Sequence, residues 1–176
     1  MKIYIFIVVL FISFLSYGII NKKENNPKSK RVECQEKVTT FEKIFDNNLK
    51  SQKELLLTNN YEIISNIEYS KAMKSNLKNS YSTKNSDIIL EKILKNHKTH
   101  NMSSEKKLQI SYTIYENDKN DSGKKNKDAF LYAGYLLFEF KFKNDLLYKI
   151  QIDYMNIDAS DIEERMMCAV DSFLSI

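Results

Sequence analysis

Glycine is nearly missing from this chain: in 176 residues only Gly18, Gly123 and Gly134 are glycine. Loops that cradle phosphate need close backbone approach at clustered glycines, so nucleotide folds built on such loops are excluded. Proline occurs once, at Pro27, and tryptophan not at all. Histidine occurs twice, at His97 and His100, which leaves a serine or cysteine triad almost nothing to use as a base. Arginine is as scarce: of 27 basic residues only Arg31 and Arg165 are arginine. Nucleic-acid readers concentrate arginine and a basic stripe on one element. Here the lysines are interleaved with Asn, Asp and Glu and the net charge is only +4, so no nucleic-acid partner is expected.

What is present begins with Ile3 to Ile20, an uncharged apolar run entered through Lys2 and left through Lys22 and Lys23. A short positive start, a hydrophobic stretch and small residues near its end are the layout of a secretory signal, with Ser16 and Gly18 placed for a cut after Gly18. The alternative is an uncleaved anchor, since a run of this length just suffices to cross a bilayer. Lys22, Lys23, Lys28, Lys30 and Arg31 crowd its distal flank, where positive charge favours the cytoplasmic side. For an anchor, that flank would leave the domain inside the cell; the signal layout outweighs it, so the expected location is the periplasm or the cell exterior, with a single-pass inner-membrane protein as the alternative and a cytoplasmic domain last. Membrane contact is expected only through residues 3–20, if they are retained. Residues 21–32 read as a flexible polar linker, and 33–176 as a single α+β domain of ordinary size.

The two cysteines, Cys34 and Cys168, open and nearly close that domain. An even pair in an exported chain is read as one bridge. On the last helix Ile162, Met166, Ala169, Val170 and Phe173 share one side at 100° per residue, and Cys168 falls nearly opposite. A free cysteine usually hides in a core. One on the polar side is explained by a bridge from the first helix clamping the outside of the last one, which over so long a loop contributes ~4–5 kcal/mol.

Cys34, Val38, Phe41, Phe45, Leu49 and Leu56 recur at three or four residues, which predicts a helix over 33–57. Residues 61–77 fit either a strand or a helix; length favours the helix. Ser86 reads as the N-cap of a short helix through Asn96. The period then changes to two. Leu108, Ile110, Tyr112 and Ile114, then Phe130 to Phe142, then Leu146 to Tyr154 carry apolar residues at even positions, predicting three consecutive strands. A three-residue turn, Lys143 to Asp145, with a bulge pairs Phe142 with Leu146, Phe140 with Tyr148 and Phe138 with Ile150, keeping every apolar residue on one face. Ser160-Asp161-Ile162-Glu163 is a capping-box pattern for the final helix. The expected fold is α+β: N-terminal helices, a three-stranded antiparallel meander and a C-terminal amphipathic helix.

No pattern calls for a cofactor. His97 and His100 stand at a spacing that can share a metal on a helix, but Lys95, Lys98, Lys106 and Lys107 flank them and repel a dication. Asp118 to Gly123 matches the first half of a calcium loop, whereas Lys125 and Ala129 break the second half. Catalysis by scattered acids, as in a small hydrolase, is the least favoured class. The remaining signal is the odd-numbered sheet face: Tyr115, Leu131, Tyr135, Leu137, Leu147 and Met155 among Lys149, Gln151 and Asp153. Tyrosine and apolar residues inside a charged rim suit a protein partner, unless helices cover that face. The function expected is a non-enzymatic extracytoplasmic protein-binding module of a bacterial envelope, for example an inhibitor or immunity protein. The alternative is a membrane-anchored accessory subunit of an envelope assembly.

Overall fold

A computed structural model describes residues 30–79, 81–121 and 131–176; the apolar run Ile3–Ile20 lies outside them. Among the described residues no helix is long and apolar enough to cross a membrane. Five strands form one sheet in the order β1-β5-β4-β3-β2: β1 (Thr40–Ile44), β2 (Tyr61–Glu68), β3 (Leu108–Glu116), β4 (Gly134–Phe142) and β5 (Asp145–Tyr154). The β2–β3 pair is parallel and the other three pairs are antiparallel. Three helices accompany it, α1 (Lys50–Leu57), α2 (Thr83–Asn96) and α3 (Ile162–Leu174), after a short 3-10 turn at Glu33–Glu36.

This corrects the expected fold. The class α+β holds in the broad sense, but a three-stranded meander behind N-terminal helices does not describe a five-stranded mixed sheet. Both additional strands fall where a helix was predicted. Phe41 and Phe45 are four apart, a spacing that satisfies a period of 3.6 and a period of two alike. In the structure both are exposed, and Thr40, Glu42 and Ile44 turn toward the core face. Along β2 the alternation of Tyr61, Ile63, Ser65 and Ile67 is that of a strand, and it ends at Glu68. The rest of the presumed helix is a loop held by a carboxylate: Glu116 accepts the backbone N–H of Ser70 (3.0 Å) and of Asn76 (2.6 Å).

The meander itself is as patterned. Ile110 pairs with Phe140, Tyr112 with Phe138, Phe138 with Ile150 and Phe140 with Tyr148. The turn differs. It contains two residues, Lys143 and Asn144, both at positive φ (52° and 73°), the mark of a type I′ turn. Lys141 pairs with Leu146, so Leu147 is the extra residue that restores register before Tyr148. Turn and bulge together achieve what a three-residue turn was expected to do.

The core fills one side of the sheet. Leu90, Ile93 and Leu94 of α2 and Ile162, Met166, Ala169, Val170 and Phe173 of α3 are buried on Ile110, Ile114, Phe138, Phe140, Ile150 and Ile152. Phe140 and Phe173 stack with centroids 4.2 Å apart and planes 1° apart. Each such large apolar side chain contributes roughly 1.5–3 kcal/mol by leaving water. The N-cap of α2 is Ser82, which accepts from Asn85 N–H. Ser86 is a helix-interior residue, completely buried, with its hydroxyl 2.7 Å from that of Tyr112. Asp161 is the N-cap residue of α3, but its side chain does not bond the first turn; its carboxylate instead accepts from the backbone N–H of Met155 (2.8 Å) and Asn156 (3.2 Å) and from the Arg165 guanidinium (3.2 Å).

Candidate functional site

Cys34 and Cys168 are disulfide-bonded, with Cα atoms 5.7 Å apart. Cys168 does lie away from the inward side of α3, yet it is only 2% exposed, because the N-terminal segment packs over it. That segment is held by a second device that the sequence concealed. The Arg31 guanidinium meets the Glu42 carboxylate in two bonds (2.7 and 2.9 Å) and donates to the Ser172 carbonyl (2.8 Å) and Ser175 Oγ (2.6 Å) near the end of α3. Tyr148 OH donates to the same carboxylate (2.5 Å), and Gln35 Nε2 bridges it (3.0 Å) to Ser172 Oγ (2.9 Å). Burial by itself would raise the Glu42 pKa, but donors from Arg31, Tyr148 and Gln35 outweigh it and hold the carboxyl below its ordinary value. Arg31 was assigned to the polar linker; nothing in its neighbourhood along the chain announces Glu42, Tyr148 or Ser172 as partners.

The opposite side of the sheet carries no helix among the described residues. There Tyr115 and Tyr135 stack as register neighbours, ring centroids 4.6 Å apart. Leu137 follows on β4 with Gln151 beside it. Phe41 is 42% exposed on one edge strand and Ile64 51% exposed on the other. Charge is divided across this face. Lys43 lies beside Lys149 on the β1–β5 side, and Glu139 binds both Lys149 (2.8 Å) and Lys141 (2.6 Å). Glu62 and Glu68 stand on the β2 side. Asp153 belongs to the same face but is buried, which raises its pKa despite a bond from Gln151.

Of the six residues expected to form a partner surface, the structure brings Tyr115, Tyr135 and Leu137 together. Leu131 is 65% exposed but precedes β4, and Met155 follows β5, so both stand at the end of the sheet. Leu147 is buried at the bulge. Phe41 and Ile64 were missed because their segments were read as helical; a period-two count over 39–45 and 61–68 would have found them.

A cleft of about 140 Å³ opens at that same end of the sheet, between Met73, Leu77, Glu116, Ala133, Tyr154 and Ile157. Gly134 is glycine because a Cβ there would run into the Tyr115 carbonyl oxygen and the ring and hydroxyl of Tyr154.

The two histidines part company: His97 Nε2 lies 3.3 Å from Asp171 of α3, and His100 Nε2 lies 3.1 Å from Glu54 of α1. They do not share one metal position, and among the described residues no group of three His, Cys, Asp or Glu is arranged to hold an ion. Asp118, first residue of the calcium-like segment, accepts the backbone N–H of Lys71 (2.7 Å) and Ala72 (2.5 Å). Gly123, Lys125 and Ala129 lie outside the described residues. Compared with protein-family models, characterised proteins and solved structures, the chain matches none of them.

Proposed function

We propose that this chain is a non-enzymatic, extracytoplasmic protein-binding module that meets its partner through the open face of the sheet. The observation that carries the proposal is the one-sided fold: helices fill one face, and the other presents the Tyr115–Tyr135 stack, Leu137, Phe41 and Ile64 inside a charged rim. Half-buried tyrosine and apolar side chains already held on a rigid sheet lose little entropy on binding and exclude water well. The division of charge describes the partner: acidic residues opposite Lys43, since Glu139 already pairs Lys141 and Lys149, and basic ones opposite Glu62 and Glu68. An extracytoplasmic site is supported by the Cys34–Cys168 bridge together with the leader-like run Ile3–Ile20.

The test is comparative. Protein captured from the envelope fraction by the wild-type chain is compared with that captured by Leu137→Asp, on the face, and by Ile88→Ala, exposed on α2. One protein lost with Leu137→Asp and kept with Ile88→Ala supports the face; identical capture by all three overturns it. Sequencing the N-terminus of the chain recovered from cells addresses location separately. A start at Ile19 indicates release after export, and an intact Met1 indicates an anchored form.

A further inference from the structure

The sheet ends in two edges that differ. β1 is short, and Arg31, Tyr148 and Gln35 gather on its central Glu42. β2 is longer and open. Leu108 N–H donates to the Asn60 carbonyl (2.9 Å), which fixes the alternation of this parallel pair. Glu62, Ile64, Asn66 and Glu68 turn their backbone groups toward β3, and Tyr61, Ile63, Ser65 and Ile67 turn theirs away from the sheet. Those outward N–H and C=O groups take no hydrogen-bond partner among the described residues. The edge is accessible from the side as well. Tyr61, Ile63 and Ser65 face the core yet stay partly exposed, whereas Leu108, Ile110 and Tyr112 beside them on β3 are buried. Proline, lysine and a bulge, the usual guards of an edge strand, are all missing from β2. At its middle stands Ile64, half exposed on the helix-free face.

An antiparallel strand can pair with itself across a two-fold axis, the commonest symmetry of protein dimers. Charge selects the register. An axis at Glu62 sets Glu62 against itself, and an axis at Ser65 sets Glu62 against Glu68; like charges directly opposite destabilise a strand pair. An axis at Ile63 leaves Ile67 without a partner. An axis at Ile64 avoids all three faults: Tyr61 meets Ile67 and Ile63 meets Ser65, so every outward backbone group is paired. On the helix-free face Ile64 then meets Ile64 of the second copy, and Glu62 meets Asn66. Asn66 Nδ2 already donates to Glu68 (3.0 Å) and keeps a second N–H for that carboxylate. We propose that β2 is a homodimer interface, in which two copies pair antiparallel about Ile64 and join their sheets into one.

The experiment is sedimentation velocity on the oxidised protein as recovered from cells, across a range of concentrations. Wild-type protein should show a reversible monomer–dimer equilibrium with a Kd on the order of 10 μM, as a small interface allows. Ile64→Asp sets two carboxylates against each other on the axis and should weaken the dimer roughly tenfold or more. Asn66→Lys sets a lysine against Glu62 twice per dimer and should tighten it roughly three- to tenfold, a gain that misfolding cannot imitate. Adding Glu62→Lys to Asn66→Lys sets lysine against lysine and should remove that gain. Leu137→Asp, on the open face but away from the edge, should leave the dimer unchanged, so the β2 interface and the partner face fail separately. A protein that stays monomeric, or a dimer indifferent to Ile64→Asp, overturns the interface. A dimer lost with Leu137→Asp assigns self-association to the open face and overturns it too. Asn66→Lys without a gain overturns the register, and with it the two-fold pairing of β2.

Discussion

Gly134 is the residue at which a single atom decides the fold of the sheet end. Its absent Cβ is the space taken by the Tyr154 ring and by the Tyr115 carbonyl, a backbone atom that cannot step aside. Gly134→Ala should therefore destabilise by roughly 1–3 kcal/mol or more, the scale of overpacking in a filled core, measured as a shift of the urea midpoint. Glu42 makes a different kind of demand. It is a carboxylate with a side chain only 8% exposed that is stable because Arg31, Tyr148 and Gln35 all donate to it. Its folded pKa lies below the ordinary 4.5, so its contribution is complete above about pH 4.5 and is lost as pH falls through the folded value. Glu116 and Glu139 are lowered as well and act in the same direction, whereas buried Asp153 is raised and acts in the opposite one. Glu42→Gln should cost about 2–4 kcal/mol at neutral pH, since it leaves Arg31 without its counter-charge. The difference from wild type should shrink as both are denatured at progressively lower pH. A difference that stays constant down to pH 3 would show that the carboxylate charge is not what holds the N-terminal segment.

At the scale of elements, two connections carry the lesson. The β4–β5 turn puts Lys143 and Asn144 at positive φ, a conformation that costs an ordinary L-residue roughly 1 kcal/mol and suits Asn followed by Gly best. The double substitution Lys143→Asn with Asn144→Gly should stabilise the protein by about 1 kcal/mol, seen as a higher melting temperature with the register unchanged. A destabilised double variant would mean that the turn is not of the I′ kind. The other connection is covalent. Cys34 and Cys168 are 134 residues apart in sequence, so their bridge removes a large loop-closure entropy from the unfolded chain. Cys34→Ser should cost about 4–5 kcal/mol in the chain-entropy account, and limited proteolysis should then cleave first near Arg31, ahead of any site in the sheet. Equal resistance of the oxidised protein and Cys34→Ser would show that the Arg31–Glu42 network suffices to hold the segment.

For the molecule as a whole, the defining property is that, among the described residues, helices cover a five-stranded sheet on one side only. Phe140 and Tyr135 sit on the same strand, one on each side. Phe140→Ala opens a cavity against Phe173 and should cost roughly 3–5 kcal/mol. Tyr135→Ala removes a half-exposed ring and its stack on Tyr115, for which about 1 kcal/mol is expected. Thermal unfolding of the two variants measures the asymmetry directly, and equal losses would mean that the open face is packed after all.

How much of this was written in the chain depends on how far each feature reaches along it. The strands β3, β4 and β5 were legible because alternation is a local signal, repeated over nine or ten residues, and because Phe138–Ile150 and Phe140–Tyr148 are neighbours across a short connection. The cysteine bridge was legible because the chain holds one even pair, with one member placed opposite the apolar side of its helix by the sequence pattern, and such a pair has few other uses. The edge strands were not. β1 is five residues long, and its Phe41–Phe45 spacing obeys two periods at once; only pairing with β5 selects the strand. β2 needs β3, which follows it after the whole of α2, as a parallel partner, and no local pattern encodes a partner so far away. The Arg31–Glu42–Tyr148–Ser172 network and the cleft around Tyr154 are of this second kind. Each assembles side chains from distant segments whose individual neighbours are unremarkable. The sequence by itself determined the period-two strands, the amphipathic α3 and the Cys34–Cys168 bridge. Which strands border the sheet, which face stays open and which polar groups meet beneath the surface were decided by tertiary structure, because those depend on burial against partners that only the folded chain supplies.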